Sequence, residues 1–367
     1  VDWTLDGSAL PDAALLNALI TEQLPLQNWD HWHITHEIPV ADAAGDIITV
    51  IQVDAVGATI VPLTFAQVKA LAPQIFLPYA PGSLPFLMGA YPAVGNANSG
   101  SSWNLGIPIT SAGATTVSYT SIVSWPVSTG SNYGVDWAAN SPGVYYTSSA
   151  DQAVTVTVSG TLLGWAAGNV TVHLPASISG ASGNGAIVIV DGTTVFNFLG
   201  FSRTGLGTAT ATFYGRCDAM TDTGWGLGGT SAGMTAVGSS MLAGLLVQAE
   251  TDQGELNHAL QLVTQTSITS AGHTGEAIAG AGGSGSLVQE GQRLAIPYNT
   301  AMPGGLSALG QKVFRTLQNY GCFVVDVAAG ITKLRANLNG YDSTIMANLA
   351  TDMGSVLPLL QHVTMAG

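Results

Sequence analysis

The chain has 367 residues, 47% of them hydrophobic and only 8% charged, with 22 acidic against 8 basic side chains and a net charge of −14. That charged fraction is about a third of what an ordinary soluble domain carries. Cations this few and scattered cannot neutralise a run of phosphates, so nucleic-acid binding is excluded and an anionic membrane surface disfavoured. No apolar stretch approaches the roughly 20 residues of a membrane-spanning helix, and the length allows one large or two ordinary domains.

The charge is unevenly placed. Residues 1–202 hold twelve acids and a single cation, Lys69; the other seven cations lie between Arg203 and Arg335; residues 70–135 hold no charge at all. A stretch like that is either covered by other subunits or surfaced with Ser, Thr, Asn, Gln and Gly. The start, Val1-Asp2-Trp3, has neither the basic nor the apolar region of a signal peptide, although an already processed chain reads the same. Two cysteines, Cys217 and Cys322, make no disulfide framework and are expected as buried thiols, with a single bridge as the alternative.

In chain order, Pro11 and Asp12 open a helical pattern that puts Leu15, Leu16, Leu19 and Ile20 on one face. Strands are predicted at 47–53 and 58–63, and a short helix capped by Thr64 and stopped by Pro73. Residues 1–90 therefore read as a small α+β docking domain, whose segment 77–90 is a proline-rich linker. From 91 to 367 the pattern turns to β. Residues 153–158 alternate apolar and hydroxyl side chains, and 170–174 repeat the pattern. Strands at 186–190 and 194–198 flank Asp191-Gly192, a hairpin signal, and 208–214 is another strand. Later, Leu306, Leu309, Val313, Leu317 and Tyr320 share a helical face between the cap Ser307 and Gly321, with a strand at 322–327 and a last short helix within 347–360. The expected fold is mainly β: a jelly-roll-like antiparallel β-sandwich with a small N-terminal α+β domain and a late helix.

Four groupings carry candidate chemistry. His31, His33 and Glu37 have the spacing of a cupin-type metal site without the glycines that frame one, so they are weak metal ligands beside a subunit contact, and no cofactor is expected. Gly229-Thr230-Ser231-Ala232-Gly233-Met234 is similar to the nucleophile segment of subtilisin-type proteases, but no base and acid motifs accompany it, and close packing of small residues explains it better. Glu255 and His258, near Glu250 and Asp252, have the residue types of an acid–base pair for glycoside chemistry, but a polar turn leading into a strand at 259–263 is the favoured reading. Trp103, Trp125, Trp137 and Tyr145, with Tyr133 and Tyr146, suit either sugar-ring stacking or a core.

Two segments are more specific. Gly254-Glu255-Leu256-Asn257-His258-Ala259-Leu260 resembles a Gly-Glu-Ile-x-His-Ala-Leu signature. Glu290-Gly291-Gln292-Arg293-Leu294-Ala295-Ile296-Pro297, with 317–326, resembles a Gly-x-Arg segment and the helix–strand unit that follows it. Together, over about 103–363, they are similar to a family of actinobacterial extracellular β-sandwich proteins related to minor tail proteins of the phages infecting those bacteria. The resemblance implies a domain that acts on or binds something at a cell surface. Relatives often carry a His before the strand at 186–190, where this chain has Gly185-Ala186, so catalysis is not carried over.

The reading that follows is a virion component, a phage minor tail or surface protein. Residues 1–90 dock it to other virion subunits or to copies of itself, and the β domain recognises a host polysaccharide. The alternatives are a secreted carbohydrate-active enzyme using Glu255 and His258, or a secreted non-catalytic glycan-binding protein.

Overall fold

The computed structural model describes the backbone of residues 36–41, 47–53 and 61–64, and residues 101–366 apart from 104, 108–115, 123–124, 126–131, 139, 148, 176–177, 179–182, 193, 219–221, 227–228, 254–255, 257 and 339. The chain divides into two compact units, Val1–Ala80 and Pro81–Gly367. In the first, β1 (His36–Ala41), β2 (Ile47–Val53) and β3 (Val61–Thr64) form an antiparallel sheet in that order. The helices expected around 11–20 and 64–72, and the linker, lie outside the described residues.

The second unit is built mostly of strands. They are β4 (Thr116–Ser121), β5 (Tyr133–Asp136), β6 (Gly143–Thr147), β7 (Ala153–Val158), β8 (Gly168–His173), β9 (Ile187–Asp191), β10 (Thr194–Leu199), β11 (Ser202–Gly205), β12 (Thr208–Ala211) and β13 (Phe213–Asp218). After the short helix α1 (Gln248–Gln253) come β14 (Leu260–Gln265), β15 (Thr269–His273), β16 (Val288–Glu290) and β17 (Arg293–Ala295). Then follow α2 (Ala308–Asn319), β18 (Cys322–Ala328), β19 (Thr332–Arg335), α3 (Ser343–Val356) and β20 (Gln361–Ala366).

Two sheets have four strands, ordered β11-β12-β7-β8 and β13-β10-β9-β6, and a third has seven, ordered β4-β20-β17-β18-β14-β19-β5. The mainly-β expectation holds, but the sheets are mixed rather than purely antiparallel. Parallel pairs occur in all three: β7 with β12, β6 with β9, and both β14 with β18 and β5 with β19. The β14–β18 pair shows why. Parallel neighbours need a long crossover, and here the connection between them carries α2.

Side-chain periodicity sets the layers. Along β7 the valines are buried and their neighbours exposed, so that sheet has one wet face. Along β9, Ile187, Val188, Ile189 and Val190 are all buried. Ile187 and Ile189 join Phe196 and Phe198 against Val154, Val156 and Val172 of the outer sheet. Val188, Val190 and Val195 face the other way, toward Phe323 and Val325 of β18. The β9 sheet is thus an inner layer, and each fully buried valine or isoleucine in it contributes about 1.5–3 kcal/mol. The far face of the seven-stranded sheet is covered by α2 and α3, through Val313, Phe314, Leu317, Met346, Leu349 and Met353.

Helix α2 has its predicted ends. Ser307 caps it by accepting from the Gly310 N–H, and Asp352 of α3 accepts from both the backbone N–H (3.1 Å) and the hydroxyl (2.5 Å) of Ser307. Gly321 follows the helix with φ +70°, a backbone state that suits glycine. Arg293 donates to the Tyr320 carbonyl (2.9 and 2.6 Å) and to Leu105, neutralising the helix C-terminus. Burial lowers its pKa to about 10, which leaves it charged at neutral pH.

Residues 231–247 are nearly all buried yet form no strand. Two buried amides from neighbouring sheets bond to their backbone instead. Asn197 accepts from the Met241 N–H and donates to the Ala232 carbonyl; Gln261 donates to the Met241 and Ala243 carbonyls. Small residues are needed here: a Cβ on Gly233 would lie 2.4 Å from the Ser240 Cα.

Candidate functional site

Of the expected acid–base pair, Glu255 lies outside the described residues and His258 is sealed in the core at 1% exposure. Its Nε2 lies 2.8 Å from Glu250 Oε2, and its Nδ1 lies 2.8 Å from the Ala259 carbonyl oxygen. Carbonyl and carboxylate oxygens only accept, so the ring must donate from both nitrogens and is an imidazolium. Burial pulls its pKa down, but the charge and hydrogen bond of Glu250, with the Ala259 carbonyl, leave it above the ordinary histidine value. Burial, and secondarily Glu250, also raise the Tyr146 phenol pKa. Thr251, next to Glu250 on α1, bonds Tyr341 at 3.1 Å and receives the Lys312 ammonium on its carbonyl at 2.6 Å. These bonds make the group a strut between α1, β14 and α2.

The four aromatic ligand candidates are not gathered. Trp103 is fully buried, stacked on Trp225 (5.0 Å) and edge-on to Phe323 (4.8 Å), so it offers no face to a sugar. Trp125, half-buried, donates to the Leu360 carbonyl, and it packs with Trp137 on the helix-side core. Tyr145 packs on the core between the two four-stranded sheets. His31 and His33 lie outside the described residues; Glu37 sits in β1, paired with Gln52. Among the described residues no group of three His, Cys, Asp or Glu is placed to hold a metal. Cys217 and Cys322 are both buried and are not joined by a disulfide.

A cleft of about 450 Å³ opens instead at the edge strand β13. Its lining includes Trp165, Arg216, Asp218, Asp222, Thr230 and Ser231, with Thr194 and Trp225 at its margins. Arg216 and Asp218 are two residues apart on β13 and so share a face, with Thr194 of β10 opposite Asp218. Trp165 comes from the turn between β7 and β8, which Leu162 and Trp165 close by two mutual backbone bonds of 3.0 Å. In that turn Leu163 has φ 47°, the one non-glycine positive φ among the described residues. Strain of this kind costs of order 1–3 kcal/mol and persists where the surroundings impose it, often at sites of function. Here the Leu163 carbonyl accepts from the Ser231 N–H (2.8 Å), and the Trp165 indole donates to the Ser231 carbonyl (2.7 Å).

The guanidinium carbon of Arg216 stands 5.2 Å from the Trp165 ring centroid. Asp222 folds back on the strand end: its Oδ2 accepts from the Asp218 N–H at 2.7 Å, and its own N–H donates to the Asp218 carbonyl. Cys217 backs the cleft. Burial, and then Asp222, push its thiol pKa far up, so it is no thiolate nucleophile.

Comparison with protein-family models, with curated proteins and with solved structures gives no match.

The cleft has the volume of a small-molecule site. It combines an aromatic wall, one cation, two carboxylates and three hydroxyls, a set that can exchange hydrogen bonds with a polyol in both directions. One sequence signal points to it. Arg216, Asp218 and Asp222 put three charges into seven residues of a chain that has 30 in 367.

Proposed function

We propose that the protein is a saccharide-binding component of a surface assembly, with the β13 cleft as its binding site. The observation that carries this is the meeting of Trp165, Arg216, Asp218 and Asp222 in one cleft of about 450 Å³. Carboxylates accept from sugar hydroxyls, the guanidinium and hydroxyls donate, and an indole edge or face covers C–H groups. With acids and a cation together, a neutral saccharide suits the cleft better than a strongly charged one.

The sandwich part of the fold reading is supported by the shared core of the two four-stranded sheets, and a jelly-roll-like arrangement remains our proposal for it. The placement on a virion, as a phage minor tail or surface protein with residues 1–90 docking to other subunits, rests on the sequence resemblance and on the charge-poor composition. Sedimentation of the full chain tests the assembly: a strictly monomeric protein that never associates with particles would remove it. Calorimetric titration with neutral oligosaccharides tests the cleft, with binding expected for the native protein and weakened about tenfold or more in Trp165→Ala.

A second reading, a carbohydrate-active enzyme, is favoured by the two carboxylates Asp218 and Asp222 lining the same cleft. Release of reducing ends from a polysaccharide panel, abolished by Asp218→Asn or Asp222→Asn, would support it. Binding without turnover at any pH would reject it.

A further inference from the structure

We propose that Ser231 is the residue with which the β13 cleft selects among saccharides, an inference that rests on the saccharide reading above. Ser231 lines the cleft and is 1% exposed. Its main chain is fixed on both sides, the N–H by the Leu163 carbonyl and the carbonyl by the Trp165 indole. Its hydroxyl, by contrast, has no hydrogen-bond partner among the described residues. Sealed polar groups almost always have one, because an unmet hydroxyl destabilises the protein that carries it.

Two neighbouring polar groups of the cleft are already committed. The Trp225 indole donates to the Ser102 hydroxyl, and Asp222 Oδ2 accepts from the Asp218 backbone. A Cβ on Gly215 of β13 would stand 3.1 Å from the Ser231 oxygen, so the strand leaves the hydroxyl its space. Rotation about the Cα–Cβ bond is the movement that would turn this sealed oxygen to a ligand.

A ligand hydroxyl that meets Ser231 forms a hydrogen bond out of water. A sugar with hydrogen in place of that hydroxyl leaves the serine unmet. Sites built to hydrogen-bond a hydroxyl reject analogues lacking it far more strongly than apolar pockets reject a missing methylene. Ser231 is therefore a specificity residue, and the Trp165 wall supplies affinity common to all ligands.

The test uses the full chain and the methyl glycosides of glucose, galactose and mannose, each with its monodeoxy analogues, titrated by calorimetry or ligand-observed NMR. The proteins are the native form, Ser231→Ala and Trp165→Ala. We expect one deoxy analogue to bind the native protein about tenfold or more weakly than its parent. Ser231→Ala should bind the two alike, with a thermal midpoint no lower than native. If Ser231→Ala keeps the native preference while Trp165→Ala loses binding, the cleft reading stands and this inference falls. A lowered midpoint with unchanged preference also overturns the inference, making the hydroxyl a packing group. If none of the glycosides binds the native protein, the cleft reading itself fails and takes the inference with it.

Discussion

Two groups of charge differ in one respect that matters more than their burial. In the core, the His258 and Glu250 side chains meet each other, and both imidazole N–H groups have acceptors. At the β13 edge, Arg216, Asp218 and Asp222 are gathered beside a hydroxyl that has no partner among the described residues. The first group is a closed set of bonds that holds elements together. The second leaves the Ser231 hydroxyl unmet beside an open volume. In a chain with so few charges, spare capacity is what separates a binding site from a strut.

Glu250→Ala leaves a buried imidazolium without its carboxylate and should cost about 3–5 kcal/mol, read by urea denaturation. The double change Glu250→Leu with His258→Leu should recover much of that loss; a double variant no better than the single one would contradict the assignment. The next largest effect is with pH. The folded His258 pKa lies above the ordinary value, so its contribution is fully present below the unfolded pKa of about 6.5 and is lost as pH rises through the folded pKa. Native stability should therefore fall between neutral and alkaline pH, and His258→Gln should remove that slope.

The open cluster should behave in the opposite way. Trp165→Ala is expected to weaken saccharide binding about tenfold or more, equivalent to at least about 1.4 kcal/mol, with little change in the urea midpoint beyond that of a half-exposed side chain. Arg216→Ala should be the mildest, removing a cation–π attraction of about 0.5–1 kcal/mol. If Arg216→Ala unfolds the protein as readily as Glu250→Ala, the two regions are not different in kind.

Local pattern made much of the β framework and α2 legible in the sequence. The alternation in 153–158, the Asp191-Gly192 turn and the face Leu309, Val313 and Leu317 each report a period that the chain adopts. Antiparallel pairing was the natural expectation from short strands and tight turns. Parallel partners such as β6 and β9 lie about forty residues apart, and no local signal reports them. The way 231–247 is held was equally hidden, since Asn197 and Gln261 that bond to it lie outside it. The glycine- and serine-rich composition around Ser231 did announce close packing, which Gly233 and Ser240 show. The cleft escaped because Trp165 and Arg216 meet only after folding. His258 stood out as a titratable residue, and only its two acceptors reveal that it is engaged.

The buried coil has a consequence for how this chain tolerates change in length. A strand can slip its register and find new partners in its ladder, and a surface loop can absorb an extra residue. Residues 232–243 are tied at fixed points by side chains from β10 and β14, with the Ser240 N–H donating to the Gly224 carbonyl between them. One residue inserted or deleted between Ala232 and Met241 would move a backbone group away from Asn197 in the interior, where no water waits to replace it. Insertions should therefore be borne at the Asp191-Gly192 turn and refused here, a difference that a scan of single-residue insertions would display position by position.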